Sequence, residues 1–355
     1  MNVVIHIGPP KTGTSAIQKW LNENREFLNE NGLFYPEHSL DINGVSSGNL
    51  FSLYTPINND LVLDGNKLQL LKNSHTASGA RTLLLSSEFF FNCVEELAEV
   101  FPQAIFIGYL RFPLDVAESS YNQGVKRHNE VRAFGLPSLP EAHQLNTLDS
   151  VISVVGKQRF ILRPYHDKCF VGGNLVEDFL SQINVAPKNI DSMKINTSYT
   201  LEGLEFKRWF NQLPLDTLQG DMDTFLQRQQ EGIIDYSFIP PITFEKLRNE
   251  FTSQLRSFCH RYEVNEAETF IEHCKSIEQK PKLPQFISNE TFEIMLRRFL
   301  REPKVLKKVL YLYESEWKYQ SVEKSPERLS IVEACLPRAQ KVLSKIRALL
   351  GRAGA

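Results

Sequence analysis

The chain opens with a mostly apolar run, residues 3–7, that turns directly into Gly8-Pro9-Pro10-Lys11-Thr12-Gly13-Thr14-Ser15. A run of that length ending in turn residues reads as a buried strand. Beyond it Ile17, Trp20, Leu21 and Leu28 recur at helical spacing, Thr14 or Ser15 can cap the helix start, and Gly32 stands where a left-handed C-terminal residue belongs. Strand, glycine-flanked loop and helix in that order commit a chain to right-handed crossovers and a mostly parallel sheet. Residues 82–85, 104–110 and 160–162 repeat the strand signal with helical patterns between them. The fold class that follows is α/β, a P-loop-containing parallel sheet flanked by helices, with a helical C-terminal extension.

Residues 1–187 form the core in this reading. After Pro187 strand signals fade, and 188–320 reads as helices around 201–211, 244–262 and 291–317, interrupted by Pro240-Pro241 and by Lys280-Pro281-Lys282-Leu283-Pro284. This extension caps and completes the same domain, and 321–355 is a separate tail. Between 41 and 80 the pattern weakens into Asn, Ser and Gly, a loop-rich excursion to which the pattern assigns no role.

Composition narrows the function. With 355 residues and 42% hydrophobic side chains the chain has ample core, and 40 Lys+Arg against 42 Asp+Glu give a net charge of -2. That balance advertises no nucleic-acid surface, so any anion site is local. Five widely spaced cysteines fit reduced thiols, and the N-terminus lacks the basic and longer apolar regions of a signal peptide. No apolar run approaches the ~18 residues of a membrane span. A cytoplasmic location is expected, with peripheral contact at the inner membrane if the tail provides it.

The Gly8–Ser15 loop sits where a phosphate belongs. Loop N–H groups and the positive end of the helix converge there, and lysine and hydroxyls complete the cradle. The nucleoside-triphosphate loop G-x-x-x-x-G-K-[ST] needs lysine after the second glycine, but Thr14 stands there and the lysine is Lys11. A P-loop kinase with a displaced lysine is thereby disfavoured. Pro10-Lys11-Thr12-Gly13-Thr14-Ser15 instead resembles the 5′-phosphosulfate loop of sulfotransferases that use 3′-phosphoadenosine-5′-phosphosulfate (PAPS), usually P-K-[ST]-G-[ST]-[ST]. The resemblance implies that Pro10, Lys11, Thr12, Gly13, Thr14 and Ser15 hold the 5′-phosphosulfate, with Lys11 also catalytic, and that no metal is required. Ala16 replaces the Trp of the cytosolic small-molecule branch.

A second anion signal follows the third strand. Arg111, Pro113, Asp115, Ser119 and Tyr121 match the family's 3′-phosphate motif R-x-P-x-D-x-x-x-S-x-Y. Pro113 and Asp115 fit a helix start, which puts Ser119 one to two turns along and able to converge with Arg111 on one phosphate. A third stretch, Tyr165-His166-Asp167, resembles a family segment whose Tyr lies near the adenine, although His166 replaces an acidic residue. Residues 171–180 resemble bacterial sulfotransferases associated with surface polysaccharides. The resemblance therefore implies a carbohydrate acceptor, a glycan or a lipid-linked saccharide.

Sulfuryl transfer to a hydroxyl needs a base beside the loop. Leu85-Ser86-Ser87-Glu88 ends the second strand signal, at the edge where α/β proteins bind ligands, and the family places its His or Glu base there. Glu88 is the candidate; capping of the following helix by Glu88 or Ser87 is the competing role. His38, His75 and His128 are rival bases. Cys259-His260 and His273-Cys274 lack metal-ligand spacing, so no metal site is expected. A non-catalytic nucleotide-binding protein of the same fold is the alternative from another class.

In the last 35 residues seven Lys+Arg face three Glu. From Val332 the apolar positions Leu336, Ala339, Leu343, Ile346 and Leu350 trace a basic amphipathic helix, fit either to dock on its own protein or to meet an anionic membrane surface.

Overall fold

The computed structural model describes residues 1–39, 46–58, 60–136, 140–186, 199–229 and 231–337. Its alternating half contains β1 (Asn2–Gly8), α1 (Thr14–Glu23), α2 (Arg25–Glu30), β2 (Leu33–Phe34), β3 (Tyr54–Ile57), β4 (Asp60–Leu63) and α3 (Gly65–Ser78). It continues through β5 (Thr82–Ser86), α4 (Val94–Val100), β6 (Ile105–Leu110), α5 (Pro113–Arg127), α6 (His143–Val155), β7 (Phe160–Pro164) and α7 (Leu175–Gln182). Helices follow: α8 (Leu201–Phe210), α9 (Leu218–Arg228), α10 (Pro241–Arg261), α11 (Ala267–Ser276), α12 (Asn289–Phe299), α13 (Pro303–Ser315) and α14 (Glu327–Cys335).

The five-stranded sheet runs β2-β5-β1-β6-β7, and every neighbouring pair is parallel. Ile5 of β1 lies between Leu85 of β5 and Phe106 of β6. Strands covered on both faces need near-continuous apolar runs, which residues 3–7 supply apart from His6 and residues 83–85 supply throughout. On one face Ile17 and Leu21 of α1 and Phe179 and Leu180 of α7 close over Leu84 and Ile107. The architecture is α/β with a parallel sheet flanked by helices and a helical C-terminal region.

The chain folds into two compact units that alternate along the sequence. The first comprises Met1–Ala117, Pro137–Ile195 and Ile242–Glu278 and holds the sheet; the second comprises Glu118–Leu136, Asn196–Pro241 and Gln279–Ala355. The segment 188–320 is thus shared between them, and the division falls inside α5. The second unit has its own core, in which Phe210 stacks on Phe292 at 5.8 Å and Leu204, Met222, Leu296 and Val309 are buried.

Local chemistry refines several expected elements. The helix expected over 291–317 is two helices, because Pro303 lacks the N–H that would continue α12 and instead opens α13. Asn24 ends α1 by returning both its backbone and side-chain N–H groups to the Trp20 carbonyl. The 41–80 excursion carries the antiparallel β3–β4 hairpin and α3, whose first amides, of Asn66 and Lys67, donate to Asp64. Val332 and Leu336, the first positions of the basic stripe, are buried in the second unit's core. The remainder of the stripe, 338–355, lies outside the described residues. No helix among the described residues is long and apolar enough to cross a membrane, and all five cysteines are free.

Candidate active site

At the C-terminal edge of the sheet, β5, β1, β6 and β7 deliver Glu88, the Lys11 loop, Arg111 and Tyr165 in the order of the strands themselves. The chain builds outward from β1 to β2, returns through β5 and crosses to β6, the kind of reversal at which open α/β sheets bind ligands.

The loop owes its shape to left-handed backbone at Lys11 (φ 73°) and Gly13 (φ 76°), a curl that makes anion-binding concavities from successive amides. Gly13 has no alternative: a Cβ there would lie 2.3 Å from Leu175 Cδ2 and 3.0 Å from Tyr165 Cε2. Thr12 is buried and its hydroxyl donates to the Pro9 carbonyl at 2.5 Å, so that hydroxyl closes the loop. Gln144 of α6 donates to the Pro10 carbonyl at 2.8 Å. Gly13 occupies the N-cap of α1 without a side-chain cap, no acidic residue stands in the first turn, and the buried Thr14 Oγ1 has no hydrogen-bond partner. Ser15 beside it is half-buried. A helix start without a cap and with an orphaned hydroxyl matches the needs of a phosphate or sulfate oxygen.

Arg111 leaves the end of β6 and its Nη1 donates to the Lys11 carbonyl at 2.6 Å, while its guanidinium carbon lies 5.5 Å from the Tyr165 ring centroid. Tyr165 is held because its amide extends the β6–β7 ladder to the Leu110 carbonyl at 2.7 Å. Burial lowers the Lys11 pKa from its ordinary value, Arg111 lowers it further, and Glu88 opposes both.

Glu88 begins the 3-10 turn Glu88–Asn92, next to the loop: a Cβ on Gly8 would lie 3.5 Å from Glu88 Cα. The N-cap of α4 is Cys93, and Ser87 instead caps the 3-10 turn: its hydroxyl accepts from the Phe89 amide at 3.2 Å and donates to the Ser47 carbonyl at 2.7 Å. Ser119 lies on α5 just past the division between the units, half-buried.

The rival histidines have other surroundings. His75 meets Phe34 of the outer strand β2 edge-on, His38 is hydrogen-bonded to the Ser46 hydroxyl at 2.6 Å, and His128 is exposed beyond the end of α5. His166 packs on His273 at 3.6 Å between ring centroids. Among the described residues no three His, Cys, Asp or Glu side chains are grouped to hold a metal ion. Sequence reasoning missed Gln144 and, beneath Tyr165, the buried Arg163–Asp178 pair at 2.6 Å; neither has a local motif.

No protein-family model matches the chain, and no curated protein matches it in sequence. Among solved structures, a sulfotransferase from Alicyclobacillus acidocaldarius is similar over 74% of this chain and 96% of that chain, with 13% identity and a TM-score of 0.37.

Proposed function

We propose that the protein is a sulfotransferase that moves a sulfuryl group from PAPS to a carbohydrate hydroxyl. The observation that carries this reading is the convergence of two cations, Lys11 and Arg111, on one loop at neighbouring strand ends, above an uncapped helix start and an orphaned Thr14 hydroxyl. Two cations beside a helix N-terminus favour a bound anion. The sequence motifs divide the work: Lys11 and the Thr12–Ser15 backbone take the 5′-phosphosulfate, and Arg111 and Ser119 take the 3′-phosphate. Tyr165 flanks the adenine.

In the transfer, Glu88 removes the proton of the acceptor hydroxyl as its oxygen attacks sulfur in line. The bond between sulfur and the phosphate oxygen breaks, and 3′-phosphoadenosine-5′-phosphate leaves with that bond's electron pair. Lys11 and the α1 N-terminus stabilise the charge that develops on the leaving oxygen. The glycan or lipid-linked saccharide acceptor is part of the proposal and stands on the sequence motifs.

Thermal unfolding with 3′-phosphoadenosine-5′-phosphate against ATP tests the reading. A ligand at ~100-fold its Kd stabilises the native state by about 2.7 kcal/mol. The bisphosphate is expected to raise Tm in the unaltered protein and not in Arg111→Ala. Stabilisation by ATP alone would overturn the proposal in favour of a kinase.

A further inference from the structure

The segment preceding the β3–β4 hairpin runs along the end of β5, where β2 no longer pairs with it. β2 contributes only Leu33 and Phe34, opposite Thr82 and Leu83, so Ser86 has no strand neighbour on that side. Asn49 fills the place. Its amide N–H donates to the Ser86 carbonyl at 2.9 Å, its Oδ1 accepts from the Ser86 amide at 2.9 Å, and its Nδ2 donates to the Pro36 carbonyl at 2.7 Å. Asn49 is fully buried. Gly48 permits the approach: a Cβ there would lie 1.9 Å from the Ser86 carbonyl oxygen, and its φ of +61° is left-handed. One residue further along, Ser87 is tied to Ser47 and its amide to the His6 carbonyl at 3.1 Å. These bonds end β5 at a fixed point and turn the chain into the 3-10 helix that starts at Glu88.

We propose that Asn49 is a positioning residue for Glu88. It acts as a one-residue strand that terminates β5 and fixes where the carboxylate stands relative to the Lys11 loop. The inference rests on the reading of Glu88 as the base. Asn49 touches neither the loop nor Arg111 through any of these bonds, so its effect belongs to proton removal and not to donor binding.

The test is a double-mutant cycle with radiolabelled PAPS and water as the acceptor, followed under single-turnover conditions, with calorimetric binding of 3′-phosphoadenosine-5′-phosphate measured alongside. Misplacement of a catalytic group by about 1 Å costs on the order of 10²-fold in rate. Asn49→Ala and Gly48→Ala are each expected to slow transfer by about that factor when Glu88 is present and to change it less than about twofold in Glu88→Ala, with the bisphosphate Kd unaltered. Equal losses in both backgrounds, or weakened or absent bisphosphate binding in either variant, make Asn49 a general structural residue and overturn the inference alone. If Glu88→Ala keeps the full rate, the base assignment fails and this inference falls with it.

Discussion

At the scale of single residues, Lys11 shows how a local rule carries chemistry. Lysine rarely takes a left-handed conformation, and here it does so between a cis-proline step and Gly13 while Arg111 grips its carbonyl. Burial and the neighbouring guanidinium both favour its neutral form. An ammonium that binds an anion must stay protonated, so affinity is lost as pH rises through its lowered pKa. The Kd for 3′-phosphoadenosine-5′-phosphate is therefore expected to climb at pH values below the ordinary lysine range of about 10.4. In Lys11→Arg that alkaline weakening should vanish, because guanidinium keeps its charge above pH ~12. Calorimetric titrations across this range decide the point, and the same alkaline slope in both proteins would refute it. That Lys11, Arg111 and Glu88 gather at one edge of the sheet was legible, because each follows a strand signal. Gln144 and Asn49 were not, because each reaches its partner across the sequence, over 134 and 37 residues, through a single polar side chain with no periodic trace.

At the scale of elements, the long buried strands and helices with clear apolar stripes were readable, and the short or exposed ones were not. β2 is two residues long, and the β3–β4 hairpin leaves Ile57, Leu61 and Val62 at the surface, so neither offers the alternation by which a half-buried strand is recognised. The link from β7 to α7 carries the Tyr165-His166-Asp167 resemblance in its sequence but no periodic trace of what orders it. Its order comes from Asp178, which accepts from Tyr109 Oη at 2.9 Å and from Arg163 Nη2 at 2.6 Å in the interior, and from the Val171 amide at 2.9 Å nearer the surface. Arg163 also donates to the Cys169 carbonyl at 2.6 Å, so one ion pair fixes the turn that follows Tyr165 and the helix whose Leu175 packs on Gly13. Removing one partner of such a pair strands the other charge at a cost of about 3–5 kcal/mol. Asp178→Ala is expected to lose that much in denaturant unfolding of the first unit. A loss under about 1 kcal/mol would show the pair to be dispensable.

At the scale of the whole molecule, the nearly balanced charge conceals a division of labour between two units. The first pairs its buried Arg163 with Asp178, whereas the second buries Lys207 against amide side chains. Lys207 of α8 is fully buried and donates to Asn211 Oδ1 and, at 2.9 Å, to Gln219 Oε1. Asn211 in turn donates to the Val125 carbonyl at 2.8 Å, and Gln219 to that of Lys126 at 2.9 Å, so the network binds the end of α5. Burial pulls the Lys207 pKa down to about 7, against the attraction of Asp223. An unfolded lysine holds its proton to about pH 10.4, so between about 7 and 10 the unfolded chain binds more protons than the folded one. Stability contributed through this residue must then rise with pH across that window and be lowest below it, where the charge is buried. The tryptophans separate the units: Trp209 and Trp317 report on the second and Trp20 on the first. In a Trp20→Phe background, the unfolding free energy followed by fluorescence is expected to rise from pH 7 to 10 relative to the same protein carrying Lys207→Met. A difference between the two that stays flat with pH would mean that Lys207 titrates in the fold as it does in the open chain.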